Sequence, residues 1–179
     1  MDIPGLIERV REHYLDQFRE IVAKQRQACA TGTPELKLQL AEGTGLFRDM
    51  YCVDFIQDPA KPRIFHVQPD RHFEFAPIVA YFGGMTVHIV GLKWDSAIIT
   101  HDKANLQPES LAEWFDRWFD PDDKRYDATA ELSGVIHSLG ISGQSVSVDF
   151  GSAPADAFWS LLQALEAAGA TNIQIDKGG

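Results

Sequence analysis

The sequence predicts an α+β protein: a long N-terminal helix, an antiparallel β meander, then helices and a C-terminal βαβ unit. Three observations carry that prediction. Apolar residues recur at helical spacing from residue 3 to residue 30. The period drops to two between residues 36 and 101. Beyond residue 108 it turns helical again, and the chain closes on a strand–helix–strand pattern.

The first helix presents Leu6, Val10, Phe18, Ile21 and Val22 on one side, with Tyr14 and Cys29 on or near it. Asp2 is placed to cap it, Pro4 suits its first turn, and Thr31-Gly32 ends it. Its last turns, AKQRQACA, are less apolar and are expected to project. Six candidate strands follow: Leu36–Ala41, Met50–Gln57, Arg63–Val67, His72–Phe82, Met85–Leu92 and Ser96–His101. Turn residues separate them, at EGTG (42–45), Asp58-Pro59, Gln68-Pro69-Asp70, Gly83-Gly84 and Leu92–Asp95. These connections are too short for parallel crossovers, so an antiparallel meander is expected. The runs around Ile78–Tyr81 and Val87–Val90 are apolar on both faces and are expected to be central strands covered by helices.

In PESLAEWFDRWF (108–119), Leu111, Trp114, Phe115 and Trp118 share one helix face, which reads as core. Leu132, Val135, Ile136 and Leu139 predict a further helix. SVSVDF then reads as a strand, GSAP as a turn, Ala155–Ala167 as a helix and TNIQI as a last strand. A unit of that length implies a right-handed crossover between two roughly parallel strands of one sheet. Residues 1–179 are expected to form one compact domain, with any seam in the polar loop near 120–128. Whether the meander and the βαβ unit share one sheet is open at this level.

Composition narrows the function classes. The chain has 179 residues, 45% hydrophobic and 23% charged, with 26 acidic against 16 basic residues and a formal charge of −10. No Lys/Arg cluster rises above that background, which argues against nucleic-acid binding through phosphate neutralisation. The N-terminal stretch does not read as a signal peptide, and no apolar run is long enough for a membrane span, so a cytoplasmic location is expected. Cys29 and Cys52 lack the spacing of a zinc site or a disulfide framework and read as free thiols. No cofactor is expected.

Several stretches carry candidate chemistry. HVQPDRHFEF (66–75) holds His66, Asp70, His72 and Glu74. If Gln68 pairs with Arg71, the two histidines point through opposite faces. If Val67 pairs with Arg71, they stand opposite each other, close enough to share a metal or a proton. His66, His72 and Glu74 are therefore metal-ligand candidates; the local strand supplies at most two on one face, and a third would come from another strand, for example His88 or His101. WDSAIITHD (94–102) places Asp95, Ser96, His101 and Asp102 near one strand, without the elbow that an activated serine needs. VDFGSAP (148–154) has one glycine, too few for a dinucleotide or phosphate loop, and is read as a turn capped by Ser152. DPDDKRYD (120–127) lacks the glycine and ligand spacing of a calcium loop and is read as a solvated acidic loop.

Two function classes follow. The first is a non-enzymatic protein-binding module, such as a bacterial immunity or inhibitor-type protein for a basic partner. Its contact surface would comprise Trp94 as an exposed aromatic anchor together with Glu109, Glu113, Asp116, Asp120, Asp122 and Asp123. The alternative is a metal- or small-ligand-binding enzyme with a His/carboxylate site on the sheet. A homodimer through the N-terminal helix is compatible with either.

Overall fold

A computed structural model describes residues 2–58 and 60–179, and it has the α+β architecture expected. Helix α1 (Ile3–Ala28) starts with the Asp2 carboxylate accepting the Gly5 N–H. It buries Leu6, Ile7, Val10, Tyr14, Leu15, Gln17, Phe18 and Val22, and its last turns lie exposed. Among the described residues the strands form two sheets. The smaller is an antiparallel meander of β1 (Thr33–Gln39), β2 (Met50–Ile56) and β3 (Ile64–Phe65). The larger comprises β4 (Ile78–Phe82), β5 (Met85–Ile89), β6 (Ala97–His101), β7 (Ser138–Ser142), β8 (Ser145–Asp149) and β9 (Asn172–Lys177), in the order β4-β5-β9-β6-β8-β7.

The expected meander is thus divided between two sheets. Strand β9 enters between β5 and β6, parallel to the first and antiparallel to the second. The βαβ unit is present: α3 (Ala155–Ala167) carries the chain from β8 to β9, two parallel strands with β6 between them. The small sheet abuts the large one where Cys52 N–H donates to the His137 carbonyl (2.8 Å) and Leu46 bridges Gly140.

One face of the large sheet is packed. Met85, Val87, Ile89, Ala97, Ile99, Val146, Val148, Ile173 and Ile175 are buried in a core shared with α1, α2 (Ala112–Phe119) and α3. Trp114 and Trp118 are core as expected, their indole N–H groups donating to the Ala157 carbonyl (2.9 Å) and Ser160 Oγ (2.8 Å) of α3. The opposite face is open. Val79 and Tyr81 of β4 are 58% and 83% exposed, and Val90 is 43% exposed. The expectation that both runs are covered by helices on both faces is therefore corrected; β5, paired with β4 and β9, is a central strand as expected, and β4 is not. β4 is an edge strand, and an apolar run does not distinguish a doubly covered strand from an edge strand with apolar residues on both sides.

Two other elements differ. Residues 132–137 form no helix. Gly134 takes a positive φ of 71°, Ile136 N–H donates to the Trp118 carbonyl and His137 N–H to the Asp149 carbonyl, so the backbone bonds laterally and runs into β7. The helical spacing of Leu132, Val135, Ile136 and Leu139 is met by an extended segment buried on both sides. Residues 72–77 are not a strand either. The Gln17 side chain takes the place of a partner strand: its Nε2 donates to the Arg71 carbonyl (2.9 Å) and its Oε1 accepts the Arg71 N–H (3.2 Å). The turn expected at Asp58-Pro59 involves Pro59, which lies outside the described residues. Among the described residues, no helix is long and apolar enough to cross a membrane.

Candidate functional site

Four ionisable side chains from four segments meet where the two sheets join. His137, fully buried, lies just before β7. Its Nδ1 is 2.8 Å from Asp54 Oδ1 on β2, and its Nε2 is 3.0 Å from Glu35 Oε1 on β1. Asp149, at the end of β8, brings Oδ2 to 3.9 Å from the same Nδ1. With a carboxylate on each nitrogen, the ring is set to donate from both, as imidazolium does.

Local structure aims each group. Glu35 sits in β1 with φ of 52°, a backbone conformation uncommon outside glycine, asparagine and aspartate. Its carboxylate accepts the Ser133 N–H and the Ser152 hydroxyl, and Ser152 Oγ accepts the Gly134 N–H (2.8 Å). Ser152 therefore holds Glu35 and is not the cap of α3, whose N-cap residue is Pro154 and which has no side-chain cap. Asp54 Oδ2 accepts the Val67 N–H (2.7 Å), and Asp149 Oδ1 accepts the Gly151 N–H (2.9 Å). Gly151 takes φ of 50° directly against the His137 ring, where a Cβ would overlap it.

Burial decides the electrostatics. It opposes the charge on His137, and the surrounding acidic groups overcome it to raise the imidazole well above its ordinary range. Cys52 contributes little to that near neutrality, since burial pushes its own thiol up to about 12. Burial also acts against ionised Glu35, but the hydrogen bond and charge of His137, with the Ser133 and Ser152 donors, bring it below the usual carboxylate range. Asp149 goes the other way. Burial, opposed by His137 and reinforced by Asp54, raises it to about 7. Its side chain keeps 21% exposure, against 9% for Asp54 and none for Glu35, so the cluster opens to solvent at its Asp149 end. Buried Tyr14 of α1 packs near enough to feel Asp149, Asp54 and Glu35 and is held as a neutral phenol.

The candidates read from sequence are dispersed. His66 Nδ1 meets the Tyr51 hydroxyl at 3.1 Å. His72 lines a cavity of about 10 Å³ with Tyr14, Trp94 and Asp95, which leaves room for a water at most. Glu74 pairs with Lys177. Neither hairpin register considered for 66–75 applies, because the segment does not pair with itself. His88 is on the open face of the sheet opposite Val79, while His101 is buried on the packed side with neither ring nitrogen partnered. The parity that convergence would require is absent. Among the described residues, the group of three side chains spaced to hold one metal ion is Asp54, His137 and Asp149.

The acidic surface is also redistributed. Trp94 is not an exposed anchor: it is 1% exposed and stacks on Phe150 at 4.6 Å. Asp120 is buried, its carboxylate accepting the Lys124 (3.0 Å) and Arg125 (2.8 Å) N–H groups, so it organises the loop and is not available for contact. Asp116 pairs with Arg48, Asp122 with Lys124 and Asp123 with Lys37. Glu109 and Glu113 are exposed.

Glu35, Asp54 and His137 are not among the candidates that local sequence pattern singles out. The signal was a charged or imidazole side chain inside an apolar run, in YCVDFI and GVIHSL, where core packing alone would select an apolar residue. No protein-family model, curated protein or solved structure matches the chain.

Proposed function

We propose that the protein is a small-ligand-binding enzyme whose working site is the His137 centre, receiving a positively charged group from its partly exposed Asp149 side. One observation carries this reading: three carboxylates converge on a fully buried imidazole, one of them in a strained backbone conformation, and the cluster reaches solvent at one end. Burying that many charges works against stability, and such arrangements concentrate at functional sites. The arrangement suits holding a cation and moving a proton between carboxylate and imidazole.

The test is a thermal-shift panel of small amines, guanidines, amino sugars and nucleosides, with and without chelator, on the natural protein and on Asp149→Asn. The expected result is a ligand that raises the melting temperature of the first and not of the second. A panel without such a ligand sinks the reading.

A protein-binding module for a basic partner is the second reading. It is supported by the −10 charge, by exposed Glu109 and Glu113, and by the unpaired edge of β4 with Val79 and Tyr81 beside it. Pairing of Asp116, Asp122 and Asp123 with basic side chains weakens it, because paired acids steer less. Charge reversal at Glu109 and Glu113 should abolish low-salt retention of a specific basic partner; unchanged retention discards this version.

A further inference from the structure

We propose that Asp54, His137 and Asp149 are the protein ligands of one divalent first-row metal ion, bound through Asp54 Oδ1, His137 Nδ1 and Asp149 Oδ2. This rests on the reading of the centre as a ligand site and names the positive group it holds.

The first argument is orientation. On each prospective ligand, the atom that would not touch the metal is already engaged. Val67 N–H occupies Asp54 Oδ2, Gly151 N–H occupies Asp149 Oδ1, and Glu35 occupies His137 Nε2. What remains are three lone-pair donors turned toward one another. A metal-ligating histidine characteristically donates its other ring N–H to a carboxylate, which orients the ring and strengthens it as a donor. Glu35 fills that role here and is itself fixed by Ser133 and Ser152.

Spacing is the second. Ligands about 2.1 Å from one ion, at tetrahedral or octahedral angles, lie roughly 3.0–3.4 Å apart. Nδ1 is 2.8 Å from Asp54 Oδ1 and 3.9 Å from Asp149 Oδ2, and the three residues can each offer one ligand atom within 4.8 Å of the others. Small side-chain adjustments bring them onto one ion. Of the three, Asp149 keeps the most exposure, so water or substrate would reach the ion from its side, as at a catalytic site.

Charge is the third. Glu35, Asp54 and Asp149 bring three carboxylates, and among the described residues His137 is the one basic side chain paired with any of them. A proton shared on Nδ1 leaves an excess of two negative charges when all three are ionised. A divalent ion on neutral imidazole leaves one. One imidazole and two carboxylates form a donor set suited to Mn2+, Fe2+ or Zn2+ and less to a soft ion such as Cu(I).

The experiment uses the full chain stripped with chelator and titrated separately with Zn2+ and Mn2+ by calorimetry. At least one ion should bind at one per chain, tighter than about 10 μM. Asp149→Asn should weaken that by at least tenfold, and Glu35→Gln by about tenfold with the stoichiometry kept. Nitrogen NMR of the natural protein needs no variant: the His137 Nδ1 resonance should move on Zn2+ addition. Absence of binding by both ions, binding unchanged in Asp149→Asn, or movement confined to other histidines overturns the proposal. If no metal binds while a panel ligand in chelator still stabilises the natural protein and not Asp149→Asn, the ligand-site reading stands and the metal assignment falls. If both signals are absent, both fall.

Discussion

The protein has two carboxylate-rich regions, and they behave in opposite ways. Around His137, three acids from three strands share a single imidazole, Glu35 and Asp54 buried and Asp149 partly so. Along α2 and the loop after it, Asp116, Asp122 and Asp123 are exposed, and each has its own cation. In the second region water and salt screen the charges, and removing one partner costs little. In the first, Glu35 and Asp54 are shut away from the water that would take over when a partner is lost. The difference shows that acidity alone did not mark the site. What marks it is acidity that the fold has enclosed.

That contrast can be broken at several points. His137→Ala should have the largest effect, destabilising by about 3–5 kcal/mol, because it leaves buried carboxylates without their cation. Urea denaturation measures it, and a loss under about 1 kcal/mol would mean the buried region is as weakly coupled as the surface one. Gly151→Ala should cost about 1–3 kcal/mol through the positive φ and the overlap with the imidazole, in this case without removing any charge.

pH sharpens the comparison in the metal-free protein. Asp149 is raised from 3.8 to about 7, so the folded state holds its proton more tightly than the unfolded chain does. Its ionisation therefore lowers stability progressively from about pH 4 to about pH 7, by up to a few kcal/mol. The raised His137 adds stability that is complete below 6.5 and lost as pH rises through its folded value. Glu35, lowered from 4.5, adds stability above that value and loses it as pH falls further. Stability should peak on the mildly acid side and decline toward pH 8. Asp149→Asn should flatten the decline between about pH 4 and pH 7; an unaltered profile would remove Asp149 from the coupled set.

Smaller effects belong to the loop. Asp120→Ala should cost about 1–2 kcal/mol, since two backbone N–H groups lose their acceptor. Asp116→Ala and Asp123→Ala should each cost under about 1 kcal/mol and less still at high salt. A larger loss at Asp123 would mean that Lys37, packed below it at 10% exposure, makes the pair a buried one.

Local pattern was a good guide wherever one element explains itself. The cap and apolar stripe of α1, the apolar run of β2, the alternation of β6, the Trp114/Trp118 face and the β8–α3–β9 unit were legible because each depends on spacing within a short segment. The failures share a cause. The segment at 132–139 has helical spacing, yet its backbone partners, Trp118 and Asp149, are supplied by other parts of the chain. HVQPDRHFEF looked like a hairpin until Gln17 of α1 supplied what a second strand would have.

The sequence by itself determined the α+β class, most elements and the pool of acids and histidines from which any site must be drawn. Tertiary structure alone decided that Trp94 is core, that β4 is an edge, and that Glu35, Asp54, His137 and Asp149 meet. Residues separated by 102 positions, as Glu35 and His137 are, become neighbours through long-range packing. Burial, which turns their proximity into strong coupling, is a property of everything packed around them and is written at no single position.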